Sequence, residues 1–179
     1  MLSSVAYGQQ GGANVLLPVV QNGKWGYINR SGEVVIAPQF NLAYGFSEGL
    51  AAVLTRDGWG YIDATGRMVI APNRGFFNPG SFSEGLAPVG TSGTKMGYID
   101  KTGRVVIEPQ FDKAYEFSEG LARVHDGGKY GYIDKSGKVV VDFMFDDAQD
   151  FKSGVAVVAL GERRGYIDKT GKYVWKPSK

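Results

Sequence analysis

Glu48, Glu84 and Glu119 each stand inside Ser-Glu-Gly, while Asp63, Asp100, Asp134 and Asp168 each precede one variable residue, Ser or Thr, and Gly. Recurrent carboxylates are the groups in this chain whose type could do acid–base work. A glycosidase needs two of them about 5 to 9.5 Å apart, in surroundings that push their pKa values apart. Repeats instead set identical residues in a row with identical surroundings, so the glutamates are expected to make structural hydrogen bonds or to lie in solvated turns. The aspartates resemble the Asp-Thr-Gly of aspartic proteases, but a residue intervenes, and their expected role is to cap a turn through the side chain. They also lack the ligand density of an EF-hand loop. Asp142, Asp146, Asp147 and Asp150 gather where other connections hold mostly neutral residues. Hard cations want several converging carboxylates, which makes these the weak metal candidates beside the expected solvated acidic face. His125 is the sole histidine and cysteine is absent, which removes thiolate metal sites, disulfides and a cysteine nucleophile together. In its Gly-rich link, His125 is expected to be an exposed turn residue. No catalytic residue, metal or cofactor is assigned.

Aromatic anchors are the other kind of candidate. The connection Asn73-Arg74-Gly75-Phe76-Phe77-Asn78-Pro79-Gly80 carries two residues more than its counterpart after Pro38, and the link Gly90 to Thr94 carries one more. Insertions in repeat arrays map to loops and often to a binding face. Adjacent rings in a strand point to opposite faces, so one of Phe76 and Phe77 could anchor a partner with Arg74 beside it; the alternative is a loop folded back on its own aromatics. Trp25 and Trp59 are the candidates for stacking on a sugar.

These residues sit in a phrase repeated five times: Trp25-Gly26-Tyr27-Ile28, Trp59-Gly60-Tyr61-Ile62, Met96-Gly97-Tyr98-Ile99, Tyr130-Gly131-Tyr132-Ile133 and Arg164-Gly165-Tyr166-Ile167. The glycines are 34, 37, 34 and 34 residues apart, the mark of a repeat architecture. Each unit is expected to be a three-stranded antiparallel meander: an aliphatic strand, the Gly-Tyr-Ile strand, an Asp-x-Ser/Thr-Gly hairpin, and a Val-Val-Ile strand that ends at a proline. Tyr and Ile point to opposite faces of the second strand and both are apolar, so that strand must be covered on both sides. The glycine beside the Tyr is expected to admit a close backbone or ring. The connections between units, with Phe111, Ala114 and Phe117 spaced by three, read as one helical turn or as an extended crossover.

The predicted fold is all-β, with five units (15–48, 49–84, 85–119, 120–153 and 154–177) stacked face to face as an open superhelical array; a closed five-bladed propeller is the alternative. They form one domain over 14–179. Residues 1–13 read as a flexible lead or as the remnant of a secretion signal, since Ser4-Val5-Ala6 has the small residues of a cleavage site. No stretch of about 18 apolar residues occurs, so no membrane span is expected. The 20 basic and 18 acidic residues are interspersed, which argues against nucleic acid as partner.

The recurring order Lys24-Trp25-Gly26-Tyr27-Ile28-Asn29-Arg30-Ser31-Gly32, then Val-Val-Ile, Pro-Gln-Phe and Phe-Ser-Glu-Gly-Leu-Ala, resembles the bacterial WG repeat family over about residues 15 to 177. The resemblance implies an all-β repeat module, often secreted or attached to other domains, with no general enzymatic activity and no family-wide catalytic residues. The Trp position itself drifts from Trp25 and Trp59 to Met96, Tyr130 and Arg164. The expected function is a non-catalytic scaffold for a protein partner, at the cell envelope or outside the cell, with a cytoplasmic address left open. A carbohydrate-binding module using surface aromatics is the second expectation, and a hydrolase using the recurrent carboxylates the third.

Overall fold

The computed structural model describes residues 15–72, 75–91 and 93–176, and each Gly-Tyr-Ile segment in it is a central strand of a small antiparallel sheet. The first sheet holds β1 (Leu17–Gln21), β2 (Lys24–Ile28) and β3 (Val34–Phe40). In the second, β4 (Leu42–Ala43), β5 (Leu50–Thr55), β6 (Gly58–Asp63) and β7 (Met68–Ile70) lie side by side. The third has β8 (Leu86–Gly90), β9 (Met96–Asp100) and β10 (Val105–Phe111). The fourth has β11 (Lys113–Ser118), β12 (Leu121–Asp126), β13 (Lys129–Asp134) and β14 (Val139–Phe145). The fifth closes the series with β15 (Asp147–Ala148), β16 (Val155–Leu160), β17 (Arg163–Asp168) and β18 (Tyr173–Trp175).

The expected three-strand meander is present in every sheet, and three of the sheets gain a fourth strand from the connection that enters them. That connection is extended, not helical: β4, β11 and β15 pair with β5, β12 and β16. In the third sheet the longer connection makes the same contact through Phe77 and Gly90, whose backbones exchange hydrogen bonds of 3.0 and 2.8 Å. Unit boundaries drawn at 48/49, 119/120 and 153/154 therefore cut a sheet after its first strand; membership changes at Asn41, Asp112 and Asp146, where an edge of the next sheet offers unpaired donors and acceptors.

The proline ends the third strand in the second sheet, where β7 stops before Pro72, but not in the first and third. β3 and β10 run through Pro38 and Pro109 to Phe40 and Phe111. They can do so because the ladder is already broken there: Tyr27 faces Ile36 but Trp25 faces Phe40, so a bulge takes up the residue that cannot donate. The bulge lays backbone over the glycine of the central strand. A Cβ on Gly26 would lie 2.5 Å from the Ile36 carbonyl oxygen, and one on Gly97 2.4 Å from that of Ile107. Any side chain there would force the two strands apart.

The core is divided among the joints between sheets. Tyr27 and Ile36 of the first sheet meet Ala51, Val53 and Ile62 of the second. Tyr61 and Ile70 meet Ala87, Val89 and Ile99; Tyr98 and Ile107 meet Ala122, Val124 and Ile133; Tyr132 and Val141 meet Ala156, Val158 and Ile167. At each of the four joints the Tyr-bearing face of one sheet thus meets the Ile-bearing face of the sheet that follows. Each joint holds a further ring from the connection: Phe46, Phe82, Phe117 and Phe151 lie 4.9, 5.0, 5.0 and 4.8 Å from the four tyrosines. Among the described residues four hydrophobic clusters serve five sheets, and none joins the fifth sheet to the first, so the described array is open.

Candidate functional site

Polar side chains gather on two opposite rims of the stack. One rim carries the hairpins between second and third strands together with the Ser-Glu-Gly turns. There Asp63 Oδ1 accepts from the backbone N–H and hydroxyl of Thr65 at 2.9 and 2.6 Å and from Arg67 N–H at 3.1 Å. Asp100, Asp134 and Asp168 repeat the pattern, so each carboxylate closes its own turn. The Thr65 hydroxyl is the chief cause that lowers the Asp63 carboxyl to about 2, and the same hydroxyl contact lowers Asp100, Asp134 and Asp168.

The glutamates on that rim fasten successive units. Glu48, Glu84 and Glu119 occupy left-handed backbone (φ 50°, 52° and 54°) and accept from the N–H of Gly85, Gly120 and Gly154 at 3.0, 3.1 and 2.9 Å. Lys101, Lys135 and Lys169 from the next hairpin reach the same carboxylates at 3.2, 3.0 and 3.2 Å. The preceding serines add hydroxyl bonds of 2.7 Å to the carbonyls of Phe82, Phe117 and Phe151. Burial opposes ionisation of Glu48, yet the Lys101 and Gly85 contacts outweigh it and hold the carboxyl below its usual range. The Gly154 N–H is the main cause that lowers Glu119. These carboxylates stand one unit apart in equivalent settings, each tied to a glycine N–H and a lysine of the units that follow.

The opposite rim differs from unit to unit. It carries Trp25, Trp59, Met96, Tyr130 and Arg164, next to the turns that join first and second strands. Trp25 is half-buried against the first joint, and Trp59 is half-buried and stacked on Tyr44 with centroids 5.3 Å apart. In the fourth sheet Tyr130 meets Tyr115 and, edge-on at 4.7 Å, His125. The Arg123 guanidinium lies 3.7 Å from the Tyr115 ring centre, donates to the Ala148 carbonyl and stands 3.2 Å from Asp150. Burial, reinforced by Tyr130, pushes the Tyr115 phenol up to about 12. His125 is thus a strand residue 18% exposed, not an exposed turn residue, because the aliphatic strand extends through it and its ring finds the face of Tyr130. Arg123 Nε and His125 Nδ1 are buried there with no well-aligned hydrogen bond, although Nε stands 3.2 Å from the Asp150 carboxylate and Nδ1 3.9 Å from that of Asp112. Arg123 occupies the place of Ala52 and Pro88, and aligning the repeats by that column would have singled it out.

The other candidates are dispersed. Phe76 is 7% exposed and belongs to the second joint, so it cannot serve as an exposed anchor. Phe77 is half-buried, its ring lying on Gly90, where a Cβ would come within 2.2 Å of it. Arg74 and the lead segment 1–13 lie outside the described residues. Asp146 is held by Lys129 at 2.5 Å and by the Gly161 N–H at 2.6 Å, Asp150 faces Arg123, and Asp147 accepts from the Ala148 N–H. Among the described residues no three acidic or histidine side chains converge as a metal site would require.

With the geometry in place, the family model for the WG containing repeat matches residues 25–58, 59–93, 96–130 and 130–163, well over half of the chain. The chain belongs to the WG-repeat family. No curated protein matches it. Among solved structures, this WG-repeat chain is similar to BamB from Moraxella catarrhalis at 13% identity (TM-score 0.54, covering 93% of this chain and 62% of that one). It is also similar to Hsv2 from Kluyveromyces lactis at 11% identity (TM-score 0.59, 89% and 58%) and to the computationally designed Ika8 protein at 10% (TM-score 0.58, 92% and 59%). These likenesses concern the fold, and the WG-repeat chain spans about 60% of the length of each of those structures. No helix in the described residues is long and apolar enough to cross a membrane.

Proposed function

We propose that this WG-repeat protein is a non-catalytic scaffold that binds a protein partner along the rim of Trp25, Trp59 and Tyr130, at the cell envelope or outside the cell. The observation that carries the reading is the contrast between rims. The hairpin rim repeats one set of bonds and spends its carboxylates on them, whereas the opposite rim sets different half-buried aromatics beside Arg123 and His125. Aromatic and arginine side chains give large contact area at modest entropy cost, the usual make-up of a protein-binding hot spot.

The test is capture by photo-crosslinking from the extracytoplasmic fraction, comparing the intact chain with a Trp59→Ala, Tyr130→Ala variant and a Ser83→Ala control on the other rim. One partner should be caught by the intact chain and the control, and lost by the aromatic double variant. Equal capture by all three would remove the assignment to this rim. Binding of a glycan in place of a protein, again lost on replacing Trp59, would move the function to the carbohydrate reading.

A further inference from the structure

The outer edge of the fourth sheet is built unlike those of the three sheets before it. β14 stands last in the order β11-β12-β13-β14, so among the described residues its far side pairs with no strand. Such an edge offers backbone donors and acceptors to an added strand, and a proline in it is one of the devices that discourage the addition. β3 and β10 carry Pro38 and Pro109, and β7 stops before Pro72. The same place in β14 is Phe143, whose ring stacks on Phe111 of the third sheet at 6.3 Å. The next residue changes too: exposed Gln39 and Gln110 give way to Met144, which is 47% exposed.

Exposure alternates along this strand. Val141 and Phe145 are buried and Phe143 half-buried, whereas Val140 (37% exposed), Asp142 and Met144 face out. The outward row therefore reads apolar, acidic, apolar. Asp142 has no ion pair or side-chain hydrogen bond among the described residues, while Asp146 is held by Lys129 and Asp150 faces Arg123. The flexible thioether of Met144 adapts to side chains of different shape, which suits it to contact with another chain. Bulges limit a regular ladder on β14 to a few residues, so side-chain contacts must select the occupant.

We infer that the outer edge of β14 takes an extended segment of a protein partner whose side chains alternate apolar, basic, apolar, with the cation on Asp142 and the apolar groups on Val140 and Met144. A second copy of this chain is the poorer occupant. β14 laid antiparallel on itself about Asp142 sets two carboxylates opposite each other, and shifted registers press Asp142 against Val140 or Met144 without a cation. A basic residue there relieves both costs. The contact does not depend on the rim of Trp25, Trp59 and Tyr130.

Fluorescence anisotropy with two labelled peptides, Thr-Val-Thr-Lys-Thr-Leu-Thr and the same peptide with Glu for Lys, tests this. Wild type should bind the Lys peptide at least about tenfold more tightly than the Glu peptide, and Asp142→Lys should reverse the preference. The double variant Phe143→Pro, Met144→Gln restores the residues of the first and third sheets, and it should weaken the Lys peptide at least about tenfold. Trp59→Ala, Tyr130→Ala should bind that peptide as wild type does. Equal binding of the two peptides by wild type, or β14 variants that bind as wild type does, overturns the inference. So does loss of the Lys peptide from the rim variant, which moves the segment to the other surface, or a wild-type dimer in sedimentation that Met144→Gln disperses, which makes a second copy the occupant. Circular dichroism and the thermal midpoint must match wild type, and Met144→Gln alone replaces the double variant if the proline disturbs the strand.

Discussion

Tyr98 and Tyr166 occupy the same place in the repeat, yet the first is fully buried and the second 44% exposed. Tyr98 packs on Phe117 at 5.0 Å and donates to the Tyr115 carbonyl at 2.8 Å, both supplied by the chain that enters the next sheet. Among the described residues the ring that Tyr166 meets is Trp175, of its own sheet. The same residue type, in the same strand, is therefore a keystone in one sheet and a surface ring in another. In a stacked array the environment of a residue is set by the neighbouring unit as much as by its own.

The comparison can be broken most sharply by truncating both rings. Tyr98→Ala should cost about 3–5 kcal/mol, as for other large buried aromatics, and Tyr166→Ala about 1 kcal/mol or less. Urea unfolding of both variants checks the difference. Gly97→Ala should follow, at about 1–3 kcal/mol, because its Cβ would press on strand backbone and not on a side chain that can turn away. A thermal melt would show it.

Smaller still is the loss of one fastening. Ser83→Ala removes the 2.7 Å bond to the Phe117 carbonyl and should lower stability by about 1 kcal/mol. Lys152 already fills the equivalent place in the last unit, so Lys152→Ala should leave stability unchanged. The gentlest probe is acid. The turn aspartates have folded pKa values below their unfolded ones, so their contribution is complete above the unfolded value of 3.8 and is lost as pH falls toward about 2 for Asp63. The thermal midpoint should drop across that window, and Asp63→Asn should flatten the drop.

Much of this was legible in the sequence because it recurs. The Gly-Tyr-Ile strand with two apolar neighbours required cover on both sides, and the stacked sheets supply it. The hairpin aspartates needed only local geometry, and they cap their turns as expected. The path through Pro38 was not legible, since it depends on a bulge that only the pairing of β2 with β3 defines. Phe76 and Phe77 read as an anchor because a longer loop hints at exposure, but Phe76 is buried in the second joint and Phe77 pairs with Gly90. The setting of Arg123 and His125 was not legible, although the repeat column marks Arg123 as unusual, because their surroundings come from Tyr115, Asp150 and Tyr130 in three different strands or turns.

Amide hydrogen exchange on the dilute wild-type chain tests the central claim, four closed joints with two open ends, most directly. The amides of β9 and β13, buried between two joints, should be the slowest to exchange, and those of β2 and β17, each covered on one face only, should exchange markedly sooner. Protection in β2 and β17 equal to that in β9 would mean that the end faces are covered within a single molecule, and the open array would be wrong.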